Sequence, residues 1–173
     1  MARPVLLTQP DSQVEAIKLP PHSIEAEQAV LGALLLENTA WDRVADVITG
    51  GDFYRDDHRR IFEHIARLID DAKPADIVTV SESLERSNEL DTAGGLAYLG
   101  SIAQNTPSAA NVRRYAEIVR EKAITRKLAQ VGTEIADSSY NPSGRDARKL
   151  LDEAEAKIFR IGEEGSRSRA GFQ

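Results

Sequence analysis

Three histidines, at 22, 58 and 64, and the run Asp56-Asp57-His58 are the first candidates for chemistry. Imidazole beside carboxylate is the raw material of a metal site or of general acid–base catalysis. Ligands on one helix converge only at i, i+3 or i+4. His58 and His64 are six apart and point in different directions, and no second cluster stands out to complete a set. A solvated or capping role is therefore expected for them. An uncharacterised enzyme using Asp56, Asp57, His58 and His64 is the third functional reading, behind two others. No serine or threonine sits in a nucleophile-elbow context. There is no G-x-x-x-x-G-K-[ST], hence no reason to expect nucleotide hydrolysis. The glycine pairs 50–51 and 94–95 are better explained as helix punctuation than as phosphate cradles. The expected catalytic, cofactor-binding and metal residues are none.

Charge patterns come next. Arg113, Arg114, Arg120, Lys122, Arg126 and Lys127 crowd fifteen positions against Glu117 and Glu121. Such a stretch could touch nucleic acid, but Tyr115 is the one aromatic among them, and single-strand binders stack bases on aromatics. The whole chain carries a formal net charge of −6, against the basic surplus of a domain that grips phosphates. A solvated helix face with local ion pairs is the simpler account. A nucleic-acid-binding helical module using 113–127 is the alternative function.

The apolar pattern says more. Ile124, Leu128, Val131 and Ile135 fall at i, i+4, i+7 and i+11, one narrow helical stripe. Beyond a turn at 138–144 containing Asn141-Pro142, a second stripe holds Ala147, Leu150, Leu151, Ala154, Ile158 and Ile161. Two amphipathic arms around a short turn make a helical hairpin. The arms can zip together, yet each then buries only one side. A hairpin projecting from a small bundle keeps apolar surface, and such surface tends to mark a protein interface.

The scaffold that must carry these residues is all-α: a compact helical bundle followed by an extended antiparallel helical hairpin. In PPHSIEAEQAVLGALLL, from Pro20, two prolines precede Ser23 as N-cap, and Glu25 and Glu27 sit near the positive end of the helix dipole. The apolar block from Ala29 to Leu36 is too short to cross a bilayer and reads as a central buried helix. Further helices are expected from Thr39 with Asp42 as a near capping box up to Gly50-Gly51, over Asp56 to Asp71, from a Thr79/Glu82 capping box to Ser87, and after Gly94-Gly95. Ser108 is expected to cap the first arm, ending near Asp137, and Ser143 with Asp146 the second. The segments are then 1–19 as a disordered tail, 20–105 as the bundle, 106–144 as first arm and turn, 145–162 as second arm or linker helix, and 163–173 as a polar, frayed tail. The 173 residues include 41% hydrophobic ones, enough for a core, and no cysteine. With no signal-peptide pattern, that fits a cytoplasmic protein without a membrane.

Six pieces in order carry a resemblance to a known family. They are PPHSIEAEQAVLGALLL; Asp52-Phe53-Tyr54 followed by His58-Arg59-Arg60-Ile61-Phe62; Ala93 to Leu99; Asn105 to Asn111; Tyr115 to Lys122; and Leu150 to Phe159. From about Leu19 to Ile161 the chain resembles the N-terminal domain and linker helix of DnaB-type bacterial replicative DNA helicases. The resemblance implies a bundle and hairpin, pairing through hairpins, and three pairs forming a collar on a hexameric ring in the primosome. It implies docking of the C-terminal domain of primase and leaves room for a helicase loader. It places ATP, Mg and DNA translocation in a RecA-like motor domain, absent here because the sequence stops soon after the linker helix, as an expressed fragment would. No cofactor and no enzymatic activity are then expected of this chain itself. By position, Ile124, Leu128, Ile135 and Leu150 are expected to serve self-pairing or primase docking. Ile158, Phe159 and Ile161 on the linker helix would face the motor domain.

Overall fold

The computed structural model describes residues 19–170. The expected tail over 1–19 lies outside the described residues except for Leu19. Among these residues seven α-helices follow one another: α1 Ile24–Leu36, α2 Trp41–Val44, α3 Asp56–Asp70, α4 Ile77–Arg86, α5 Gly95–Asn105, α6 Val112–Tyr140 and α7 Ala147–Ala170. Two 3-10 turns, Asn38–Ala40 and Gly50–Asp52, link the early helices. Among the described residues there is no strand, and no helix is long and apolar enough to cross a membrane. The all-α bundle and hairpin read from the sequence is the fold observed.

The first helix is the axis of the bundle. The Ser23 hydroxyl accepts from the Ala26 N–H at 3.2 Å, the cap expected of it. Val30, Leu31, Ala33 and Leu34 are wholly buried, so α1 is covered on nearly all sides. Gly32 permits its closest crossing: a Cβ there would stand 1.9 Å from Thr106 Oγ1 and 2.8 Å from the Ile102 carbonyl. Only a residue without a side chain lets the end of α5 lie against α1. The core also takes Val112, Ala116 and Val119 from α6, so bundle and first arm share one continuous helix.

Several boundaries differ from the sequence reading, each because a closer cap competes. The helix expected from Thr39 is a 3-10 turn plus the short α2, and Thr39 donates to Glu37 instead of capping. Gly50-Gly51 opens a 3-10 turn in place of ending a helix, because Thr49 and Asp52 form a capping box around it. At α4 the box lies one turn earlier: Asp76 accepts from the Thr79 N–H at 2.9 Å and Thr79 Oγ1 accepts from the Asp76 N–H at 2.8 Å. Ser108 turns to the Ala110 N–H, and α6 starts at Val112. Asp146, not Ser143, accepts at the start of α7, from the Lys149 N–H at 2.8 Å. The expected frayed tail from residue 163 is helical to Ala170, where α7 runs back along α6.

Candidate interaction surface

The two arms meet along a thin apolar seam. Val131 of α6 and Ile161 of α7 are buried, and Ile124, Ile135 and Leu150 are half-buried. A cross-arm ion pair, Lys157 Nζ to Glu134 Oε2 at 3.1 Å, lies alongside. Near the turn, Arg145 bonds Glu153 at 2.5 Å. The remaining apolar side chains face water: Leu128, Tyr140, Leu151, Ile158 and Phe159, with Phe159 67% and Tyr140 85% exposed. Of the residues expected to serve pairing or docking, Leu128 is thus open, while Ile124, Ile135 and Leu150 are partly used within the chain. The linker-helix face divides as well. Ile158 and Phe159 point outward, but Ile161 is turned in and lines a cavity with Val47 and Ile124. Leu151 and Tyr140 join the exposed set unforeseen. Leu151 stands seven residues before Ile158, a spacing that puts the two on one helix face and was a usable signal.

At the root of the hairpin lies the basic stretch, and most of it is occupied. Arg113 lies 3.7 Å from Asp46 and from Glu117, and Arg114 lies 3.4 Å from Glu117. Arg120 bonds Asp52 Oδ1 and the Glu164 carbonyl, each at 2.8 Å. Arg126 donates to the Pro21 carbonyl at 2.9 Å and the Asp52 carbonyl at 2.7 Å. Burial pushes the Arg126 guanidinium below its ordinary pKa. The expected solvated face with local ion pairs is seen where Arg113 and Arg114 meet Glu117, while Arg120 and Arg126 form a joint that ties α6 to the bundle.

The sequence match is decisive for ancestry. The family described as DnaB-like helicase N terminal domain matches residues 19–121, more than half of the chain. The chain belongs to that family. It is 43% identical over all 173 of its residues to the replicative DNA helicase DnaB of Haemophilus influenzae, covering 37% of that protein. It is 41% identical over 150 residues to the replicative DNA helicase DnaB of Geobacillus stearothermophilus, covering 87% of this chain and 33% of that one. The chain thus spans about a third of the length of these curated relatives. Among solved structures, the N-terminal domain of DnaB helicase from Mycobacterium tuberculosis superposes with a TM-score of 0.79 at 38% identity, over 82% of this chain and 99% of that one. A DnaB-like replicative helicase solved for its interactions with primase has a TM-score of 0.66 at 22% identity, over 80% of this chain and 31% of that one, and so shares the fold.

In this chain the histidines have a role that sequence spacing missed. His58 and His64 are buried, not solvated or capping. His58 Nδ1 donates to Glu27 Oε1 at 2.8 Å, and its Nε2 hydrogen-bonds the Tyr98 hydroxyl at 2.6 Å. Glu27, read as a helix-dipole partner, is itself buried and also accepts the Tyr54 N–H at 2.9 Å. His64 bonds Glu89 at 2.6 Å and Ser83 at 2.7 Å. Each ring nitrogen is satisfied, so both networks hold α3 to its neighbours. The bond from His64 keeps the Glu89 carboxyl below its usual range, helped by Arg60 at 2.5 Å. Among the described residues, no three of His, Asp or Glu group to hold a metal ion.

Proposed function

We propose that this chain is the assembly and docking module of a replicative DNA helicase. It pairs with a second copy through the hairpin, three such pairs build a collar on a hexamer, and the collar receives the C-terminal domain of primase. A loader would be a further partner. The setting is DNA replication in the bacterial cytoplasm. Unwinding, ATP and Mg belong to the motor domain of the longer protein, and this chain takes no step in that chemistry.

The observation that carries this reading is that five large apolar side chains of one hairpin, Leu128, Tyr140, Leu151, Ile158 and Phe159, are open to water beside a closed core. An apolar surface of that kind is covered by a partner in stable assemblies. Sedimentation equilibrium of the chain, alone and with the primase C-terminal domain, tests it. Self-association and a complex with primase are expected. Leu128→Asp or Ile135→Asp should remove at least one of these contacts while circular dichroism holds its helical signal. Both contacts surviving both substitutions would sink the reading. The nucleic-acid alternative meets an obstacle in the arginines of 113–127, each of which already has a partner inside the chain.

A further inference from the structure

Where α6 leaves the bundle, one residue stands at the crossing. We propose that Arg126 is the positioning residue that fixes the angle between hairpin and bundle, and through that angle sets the affinity of the hairpin for its partner. The second half rests on the assembly reading above; the first does not.

Arg126 gathers three bundle segments. One donor reaches the Pro21 carbonyl ahead of α1, at 2.9 Å. A second reaches the Asp52 carbonyl in the 3-10 turn, at 2.7 Å. The guanidinium carbon lies 5.5 Å from the centre of the Tyr54 ring. Each of these supports is itself held. Tyr54 stacks on His22 with centroids 4.4 Å apart, and His22 Nδ1 donates to the Pro20 carbonyl at 2.6 Å. Asp52 is buried; its side chain bonds Arg120 at 2.8 Å and accepts the Thr49 N–H at 2.8 Å. Beyond Arg126, among the described residues, no side chain of α6 hydrogen-bonds the bundle: Gln130, Thr133 and Ser139 bond within α6, and Glu134 reaches Lys157 of α7.

The chemistry suits a pin better than a charge pair. Among the described residues, no carboxylate bonds Arg126; Glu27 and Asp52 attract it from further off, and Arg59 repels it. Its bonds go to neutral carbonyls, which take planar N–H donors in fixed directions. A planar fork over an aromatic face cannot be copied by an ammonium group. The residue therefore resists rotation of α6 about the joint as well as separation from it.

The chain has no cysteine, so a pair introduced at Ser87 and Ser139 can carry spin labels without background. Both sites are exposed, one on the bundle and one near the hairpin tip. Pulsed dipolar spectroscopy should give one narrow distance for the parent. Arg126→Ala and Arg126→Lys should both broaden it, with an unchanged helical signal. Tyr54→Leu, which leaves the guanidinium in place but removes its platform, should broaden it less. If each copy holds the competent angle only a tenth of the time, self-association, which needs both copies competent, weakens about a hundredfold. A narrow, parental distance in Arg126→Ala, or full restoration by Arg126→Lys, overturns the proposal. A broadened distance with unchanged self-association supports the pin and refutes its coupling to assembly.

Discussion

Bundle and hairpin bury their apolar residues in opposite proportions. In the bundle, Leu31, Leu34, Phe53, Ile61, Ile65, Leu84 and Leu99 are wholly enclosed. In the projecting arms, Val131 and Ile161 alone among the large apolar side chains described are buried, and Leu128, Tyr140, Leu151, Ile158 and Phe159 are exposed. The two regions use similar residue types. What differs is the number of neighbours: α1 is covered by α3, α5 and α6, while α7 packs chiefly on α6. Burial, not composition, decides how much a Leu stabilises. The bundle closes over most of its apolar surface, and the hairpin leaves much of its own open to water.

The strongest way to test that contrast is a matched truncation. Leu31→Ala is expected to lower unfolding free energy by about 2–5 kcal/mol, the usual cost of a large core deletion. Leu128→Ala should stay within about 0.5 kcal/mol in the isolated chain. Comparable urea midpoints for the two variants would erase the distinction. Gly32→Ala should cost about 1–3 kcal/mol, because its Cβ meets the Ile102 backbone and Thr106 cannot retreat without giving up its bond to the Ile102 carbonyl.

Acid should act on the bundle next. Glu89 is held below the ordinary value of 4.5 by His64 first, with Arg60 helping. A depressed carboxyl stabilises the fold above 4.5, and that stability drains as pH falls from there through the lowered value. Urea midpoints of the parent and Glu89→Gln should converge on acidification; a constant gap down to pH 3 would refute this. The smallest effect belongs to the hairpin. Lys157 lowers the Glu134 carboxyl, but the pair is largely in water. Its NMR titration midpoint should drift back toward the ordinary value in about 1 M salt, where the Debye length is about 3 Å. A midpoint insensitive to salt would mean that the arms shield the pair more than their exposure implies.

Much of this was legible in the sequence because it is local. The apolar block of α1, the prolines ahead of it and the two hairpin stripes follow from helical spacing alone. What was hidden depends on distant partners. His58 looks like a surface ligand until Glu27, thirty-one positions earlier, and Tyr98, forty later, are brought to it. Arg126 looks solvated until Pro21, 105 positions away, arrives. Caps were misplaced where two candidates stood three residues apart, as at Asp76 and Thr79, since either satisfies a local rule. The division of α7, with Ile161 inward and Phe159 outward, is set by how the arm crosses α6, and one strand of sequence does not contain that angle.

The length of α6 has a mechanical consequence. Fourteen of its 29 residues, 127–140, extend past Arg126. At about 1.5 Å per residue this is an arm of roughly 21 Å. A tilt of about 10° at its root displaces Tyr140 by roughly 4 Å, close to the width of an atom-to-atom contact. Small rearrangements among the carbonyls of Pro21 and Asp52 are thereby magnified at the tip, so the hairpin works as a pointer whose reading is set at its fulcrum.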